Sequence, residues 1–148
     1  MSYITSERPL EPELEPYRMH IDPLDIHHIM AFADLFVGDS QTMAAEAGVL
    51  GTPFVRLNDF SGRLAYLNEI EDKYGLGYSH KSGDIEGFFQ SVQKWLDEPE
   101  RKKVCQERRV RMLAEKIDLT KFLVWFIEDF PVSRQIMFEN PDYQFRFK

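Results

Sequence analysis

Two short runs of this chain, Leu35-Phe36-Val37 and Pro53-Phe54-Val55, are apolar at every position. A strand that is apolar on both faces of its pleat needs cover on both sides, the condition of a parallel sheet wrapped by helices. Around these runs the period changes. Ile26, Ile29, Met30 and Ala33 follow the i, i+3, i+4, i+7 rule, with Pro23 near the first turn. Met43, Ala47 and Leu50 mark a second helix, stopped by Gly51 and Pro53. Leu67, Ile70 and Tyr74 mark a third, ending at Gly75 and Gly77, and Ile85, Phe88, Phe89, Val92 and Leu96 a fourth, with Asp84 as N-cap. Further strands are expected at Tyr3–Thr5, Tyr17–Ile21, Phe54–Leu57 and Leu76–Tyr78. The alternation predicts an α/β fold: a Rossmann-like parallel sheet with helices on both faces.

A chain of 148 residues, 43% hydrophobic and 14% aromatic, has the size and apolar content of one folded domain. No run approaches the roughly 20 apolar residues of a membrane helix. The acidic first thirty residues do not resemble a signal peptide, and a lone Cys105 offers neither a disulfide nor a cysteine metal site, so a cytoplasmic location is expected. Net charge is -7, and residues 1–52, with two basic and nine acidic side chains, account for all of it. Such a balance argues against nucleic-acid binding, which requires neutralised phosphates. Arg101, Lys102, Lys103, Arg108, Arg109, Arg111 and Lys116 form one basic run on a polar helix after Pro99, which reads first as a solvated helix face and second as a phosphate-binding one.

Residues 1–117 read as the sheet-and-helix part and 118–148 as a C-terminal helical segment with an aromatic tail. Asp118 caps a helix in which Leu119, Phe122, Leu123, Phe126 and Phe130 form a stripe, while Val124, Trp125 and Ile127 lie off it. A helix apolar nearly all round is buried on more than one side. Residues 120–148 hold eight of the twenty aromatics, which leaves two readings: a docking surface for another molecule, or a segment wrapping its own core.

The turn Gly38-Asp39-Ser40-Gln41-Thr42 follows an apolar strand and opens an alanine-rich helix. In open α/β sheets ligands bind beyond the carboxyl ends of strands, and a helix N-terminus offers unpaired N–H groups and a positive dipole end for phosphate. Ser40 and Thr42 add hydroxyls, and Glu46 lies one turn beyond Thr42 on the same face, placed to accept hydrogen bonds from a ribose diol. The same residues also suit an ordinary N-cap. Neither a Walker loop nor a G-x-G-x-x-G pattern is present.

The stretch from Ala33 to Pro53, with its D-S-x-x-x-x-x-E-A core and L-G-x-P ending, resembles the C-terminal domain of GT-B glycosyltransferases. It is most similar to an uncharacterised GT-B-like family related to the non-hydrolysing UDP-N-acetylglucosamine 2-epimerases. Ile4-Thr5-Ser6-Glu7-Arg8, Asp22–His28 and Asp118 to Pro131 fit the same pattern, so the likeness spans nearly the whole chain. It implies Ser40, Gln41 and Thr42 for the diphosphate of a nucleotide sugar, Glu46 for its ribose, and Met19–His27 near uracil. It also implies a missing first strand, normally central between Tyr3–Thr5 and Leu35–Val37, and a missing N-terminal domain that carries catalytic residues. The expectation is a UDP-sugar-binding C-terminal half of a glycosyltransferase- or epimerase-like protein, inactive as this chain alone. Its expected partners are the missing domain, a second chain, or another copy joined through an open strand edge or the aromatic C-terminus. Relatives carry two glycines where Gln41 and Thr42 stand. That departure motivates a second reading, a non-catalytic interaction module that has kept the fold and lost the nucleotide.

Further candidates are secondary. Arg56, ending a strand, and Arg63, opening a helix, could each offer a planar fork to phosphate or a sugar carboxylate, and Asn58–Gly62 between them reads as a mobile loop. Asp39 belongs to the same turn as Ser40. His27 resembles a position close to the nucleotide, although a plain helix-surface histidine explains it better. His27 and His28 are adjacent, diverge by about 100° on a helix and cannot chelate one metal, so no metal site is expected.

Overall fold

The computed structural model describes residues 2–148. Three strands, β1 (Phe36–Gly38), β2 (Phe54–Leu57) and β3 (Gly77–His80), form one parallel sheet in the order β1-β2-β3. Seven α-helices accompany them among the described residues. The architecture is α/β and of Rossmann-like type. Phe36 is in register with Phe54 and Phe54 with Gly77, so these three share one face, while Val55 and Tyr78 share the other.

Helices lie on both faces. α2 (Gln41–Leu50) and α3 (Ala65–Asn68), which continues as a π-helical turn over Glu69–Lys73, lie on the Phe54 side. There the Phe54 ring fills the space beside Gly77: a Cβ on that glycine would fall 2.5 Å from the ring. α4 (Ile85–Asp97) lies on the opposite side, where Trp95 packs against Tyr78 with ring centroids 5.9 Å apart. On the α4 side the cover stops short of β1, where Val37 stays 45% exposed against the expectation of a strand enclosed on both sides. The core joins Met30, Ala44, Ala47, Phe54, Val55, Leu67, Ile70, Tyr74, Leu76, Trp95, Cys105 and Met112. Burial pushes the Cys105 thiol up to about 11, leaving it protonated and inert.

Local signals end the elements where expected. Asp84 accepts from the Gly87 N–H, Asp118 from the Lys121 N–H, and Gly51 closes α2 in the left-handed region at φ 78°.

The N-terminal strands form differently. Ile4 and Arg18 make a single parallel bridge, with Ile4 N–H donating to Tyr17 O (2.8 Å) and Met19 N–H to Ile4 O (2.9 Å), and no ladder extends from it. Pro9, Pro12 and Pro16 withdraw donors from this stretch, and Tyr3 and Tyr17 stay more than half exposed. The bridge does not join the main sheet. Among the described residues β1 therefore pairs with β2 alone, and its outer edge is open.

The basic run is a solvated face only in part: Lys103, Arg111 and Lys116 are exposed, whereas other members are spent on neighbouring helices. α5 (Arg101–Glu115) supplies donors to the C-terminal ends of the helices around it. Lys102 Nζ donates to Ala31 O (2.7 Å) and Ala33 O (2.9 Å) at the end of α1 (Ile26–Phe32). Gln106 and Arg109 reach Leu50 O (2.9 Å) and Val49 O (2.6 Å) at the end of α2. Arg111 and Arg108 reach Lys73 O and Gly75 O, and Arg101 reaches Glu98 O just past α4. These carbonyls have no partner within their own helices, and positive charge beside them complements each helix dipole. α6 (Leu119–Glu128), α7 (Val132–Glu139) and a 3-10 turn over Pro141–Phe147 complete the chain.

Candidate functional site

The β1–α2 turn stands at the carboxyl end of the sheet, as its place after a strand requires. Ser40 is the N-cap of α2: its Oγ accepts from the Met43 N–H at 3.3 Å, and its carbonyl takes the Ala44 N–H. The N–H groups of Gln41 and Thr42 have no partner among the described residues, the ordinary state of a first helical turn. Gln41 sends its Nε2 sideways to Asn58 Oδ1 (3.4 Å), away from the helix axis.

Thr42 and Glu46 line one cleft of about 360 Å³ together with His27, Ala45, Val49, Leu50 and Tyr66. The cleft runs along the outer face of α2 and is walled mainly by apolar atoms. Glu46 is its only carboxylate, 36% exposed, with Oε2 lying 3.4 Å from His27 Nε2. Almost none of the cleft's wall is polar, so it is chiefly the alkyl parts of Thr42 and Glu46 that line it. Ser40 and Gln41 stand at the head of the same helix and do not line this cleft.

The other candidates are dispersed. Asp39 is exposed, and its carbonyl accepts from Asn58 Nδ2 (2.9 Å). Arg63 is exposed and lies 6.0 Å from the Phe60 ring centroid. Arg56 is fully buried, its Nη2 donating to Glu71 Oε1 at 3.2 Å inside the sheet–helix interface, and Nε and Nη1 have no partner. It contributes no surface to the Glu46 cleft.

Asn58 matters more than the reading of Asn58–Gly62 as a mobile loop allows. Its N–H donates to His80 O (2.8 Å), its Oδ1 accepts from Phe60 N–H and Gln41, and its Nδ2 holds Asp39 O. One side chain thus ties the β2–α3 loop to the head of α2. Ser61 adds a hydroxyl contact to Ser79 (2.8 Å), and Asp59 accepts from Ser82 N–H. An asparagine directly after a strand and before Gly62 carries a turn signal, but nothing in the sequence names its distant partners.

A second constellation was invisible in sequence. His80 Nδ1 lies 2.7 Å from Asp84 Oδ2, and His80 Nε2 lies 2.8 Å from Ser91 Oγ. The His80 contact, followed by the Gly87 N–H, holds the Asp84 carboxyl below its usual range. The connectivity matches a nucleophilic triad. Yet Ser91 is the seventh residue of α4, so its own N–H is committed to the helix and cannot cradle an oxyanion. The arrangement works as a clasp that fixes the end of β3 to α4. Among the described residues no group of three or more His, Cys, Asp or Glu is placed to hold a metal. Among the same residues no helix is long and apolar enough to cross a membrane.

Against known proteins, the chain matches no protein-family model and no curated protein.

Proposed function

We propose that this chain is the UDP-sugar-binding C-terminal half of a GT-B glycosyltransferase- or epimerase-like protein, without catalytic activity of its own. The observation that carries the reading is the pairing of Thr42 and Glu46 in one cleft, at a helix head where the N–H groups of Gln41 and Thr42 are unpartnered among the described residues. In this arrangement the phosphates sit at the head of α2, where dipole and donors favour an anion. The ribose hydroxyls donate to Glu46, and the base lies along Ala45, Val49 and Tyr66. His27 shares Glu46 with the ribose. The resemblance implies the same phosphate turn and the same ribose carboxylate, but it puts Met19–His27 near the base, of which only His27 lines this cleft.

Titration calorimetry with UDP and UDP-N-acetylglucosamine tests this. Binding is expected for both, weakened at least tenfold by Glu46→Ala, whose side chain is partly exposed. Absence of heat with any nucleoside diphosphate would refute the reading. It would favour the second one, an interaction module that retains the fold, which the commitment of Ser40 Oγ to the cap and of Gln41 to Asn58 also supports.

A further inference from the structure

The last thirty residues build a small body that packs chiefly on itself. Phe122, Trp125, Phe126, Tyr143 and Phe147 stack together: Trp125 lies 4.9 Å from Tyr143 and 5.2 Å from Phe147, and Phe122 lies 5.8 Å from Phe126. Ser133 Oγ locks α7 onto α6 through Phe126 O at 2.6 Å. None of these rings belongs to the core of the sheet. The inward arc of α6 is spent on this cluster, and its outward arc is apolar too. Leu119, Leu123, Val124 and Ile127 on α6, with Phe130, Val132, Phe138 and Phe145 beyond it, are between 45% and 83% exposed.

Two arguments say what covers them. The first is area. Aromatic side chains bury about 150–250 Å² each and aliphatic ones somewhat less, so these eight, about half exposed or more, leave roughly 800 Å² summed over the segment. A monomer's largest apolar patch is about 300–600 Å², whereas one side of a stable interface is about 800 Å². The second is charge. Residues 119–148 carry Lys121, Arg134, Arg146 and Lys148 against Glu128, Asp129, Glu139 and Asp142, a balanced set. The surplus of -7 lies in residues 1–52. Two copies can therefore meet through this segment without like-charge repulsion, which a face drawn from residues 1–52 would incur.

We infer that the outward face of α6 and α7 is a self-association surface on which two copies of this chain close as a symmetric pair. Successive outward positions of α6 are Thr120, Leu123, Val124 and Ile127, all within one arc. An antiparallel pairing about a two-fold axis sets Ile127 of one copy beside Thr120 of the other, with Leu123 and Val124 near the axis, so each contact occurs twice. This surface is separate from the Glu46 cleft.

Sedimentation equilibrium over a range reaching high micromolar concentration tests the inference. The expected mass is twice the 17.5 kDa of one chain. Ile127→Glu, at a position 71% exposed and outside the aromatic cluster, is expected to leave the circular dichroism unchanged and weaken the pair at least tenfold. Val124→Lys serves as an independent second variant. A wild-type chain that stays monomeric throughout overturns the inference. So does a pair indifferent to both folded variants, or open-ended particles larger than a pair.

Discussion

Ser40 and Glu46 stand six residues apart on one helix and answer to different physics. The hydroxyl of Ser40 occupies the Met43 N–H, one of the donors a helix cannot satisfy from within, so its first duty is to α2. Ser40→Ala is expected to lower stability by about 1 kcal/mol, read as a shift in the urea midpoint at unchanged slope. An unmoved midpoint would mean that the cap is idle. The cap was legible because a serine before an alanine-rich run has only local business to do. Glu46 was legible as a position and not as a site, since its neighbours in the cleft, His27 and Tyr66, come from other helices. Arg56 shows the opposite failure. At the end of an apolar run an arginine reads as an outward hand, yet here Glu71 from the next helix draws it fully inside. Only a partner fifteen residues away decides between those two positions.

At the scale of elements, helices and central strands follow from period and punctuation, whereas the service one helix does for others does not. A solvated basic face and a helix that caps its neighbours have the same composition. What separates them is the set of carbonyls within reach, and those lie up to 71 residues away in sequence. Lys102 and Lys103 offer the contrast side by side. Lys102 Nζ is held by Ala31 O, Ala33 O and Thr52 Oγ1, and burial lowers its pKa from the ordinary ammonium value. Lys103 is 64% exposed and reaches Glu100 alone. Lys102→Met is expected to cost about 2 kcal/mol, because charge-assisted bonds to partly buried carbonyls are lost together. Lys103→Met should change stability by less than about 0.5 kcal/mol. Equal midpoints for the two variants in urea would return α5 to the role of a solvated face. The proline-rich N-terminal stretch belongs to the same lesson. Its apolar residues suggest strands, but with no layer to cover them only the Ile4–Arg18 bridge forms.

The whole molecule combines a sheet body, whose core runs from Met30 to Met112, with a C-terminal body held by its own rings. The chain's two tryptophans divide between them: Trp95 is 4% exposed in the core, and Trp125 is half-buried in the aromatic cluster. Cooperativity requires that the loss of one set of contacts removes the support of another, and few contacts join these bodies. The segment that lacks any buried large apolar side chain should open first. Single-tryptophan variants, Trp95→Phe and Trp125→Phe, let each body be followed by fluorescence. The Trp125 signal is expected to change at lower denaturant than the Trp95 signal, and the gap should narrow as protein concentration rises, since self-association through α6 stabilises only the C-terminal body. Coincident transitions at every concentration would mean that the two bodies unfold as one. The independence of the C-terminal segment would then fall.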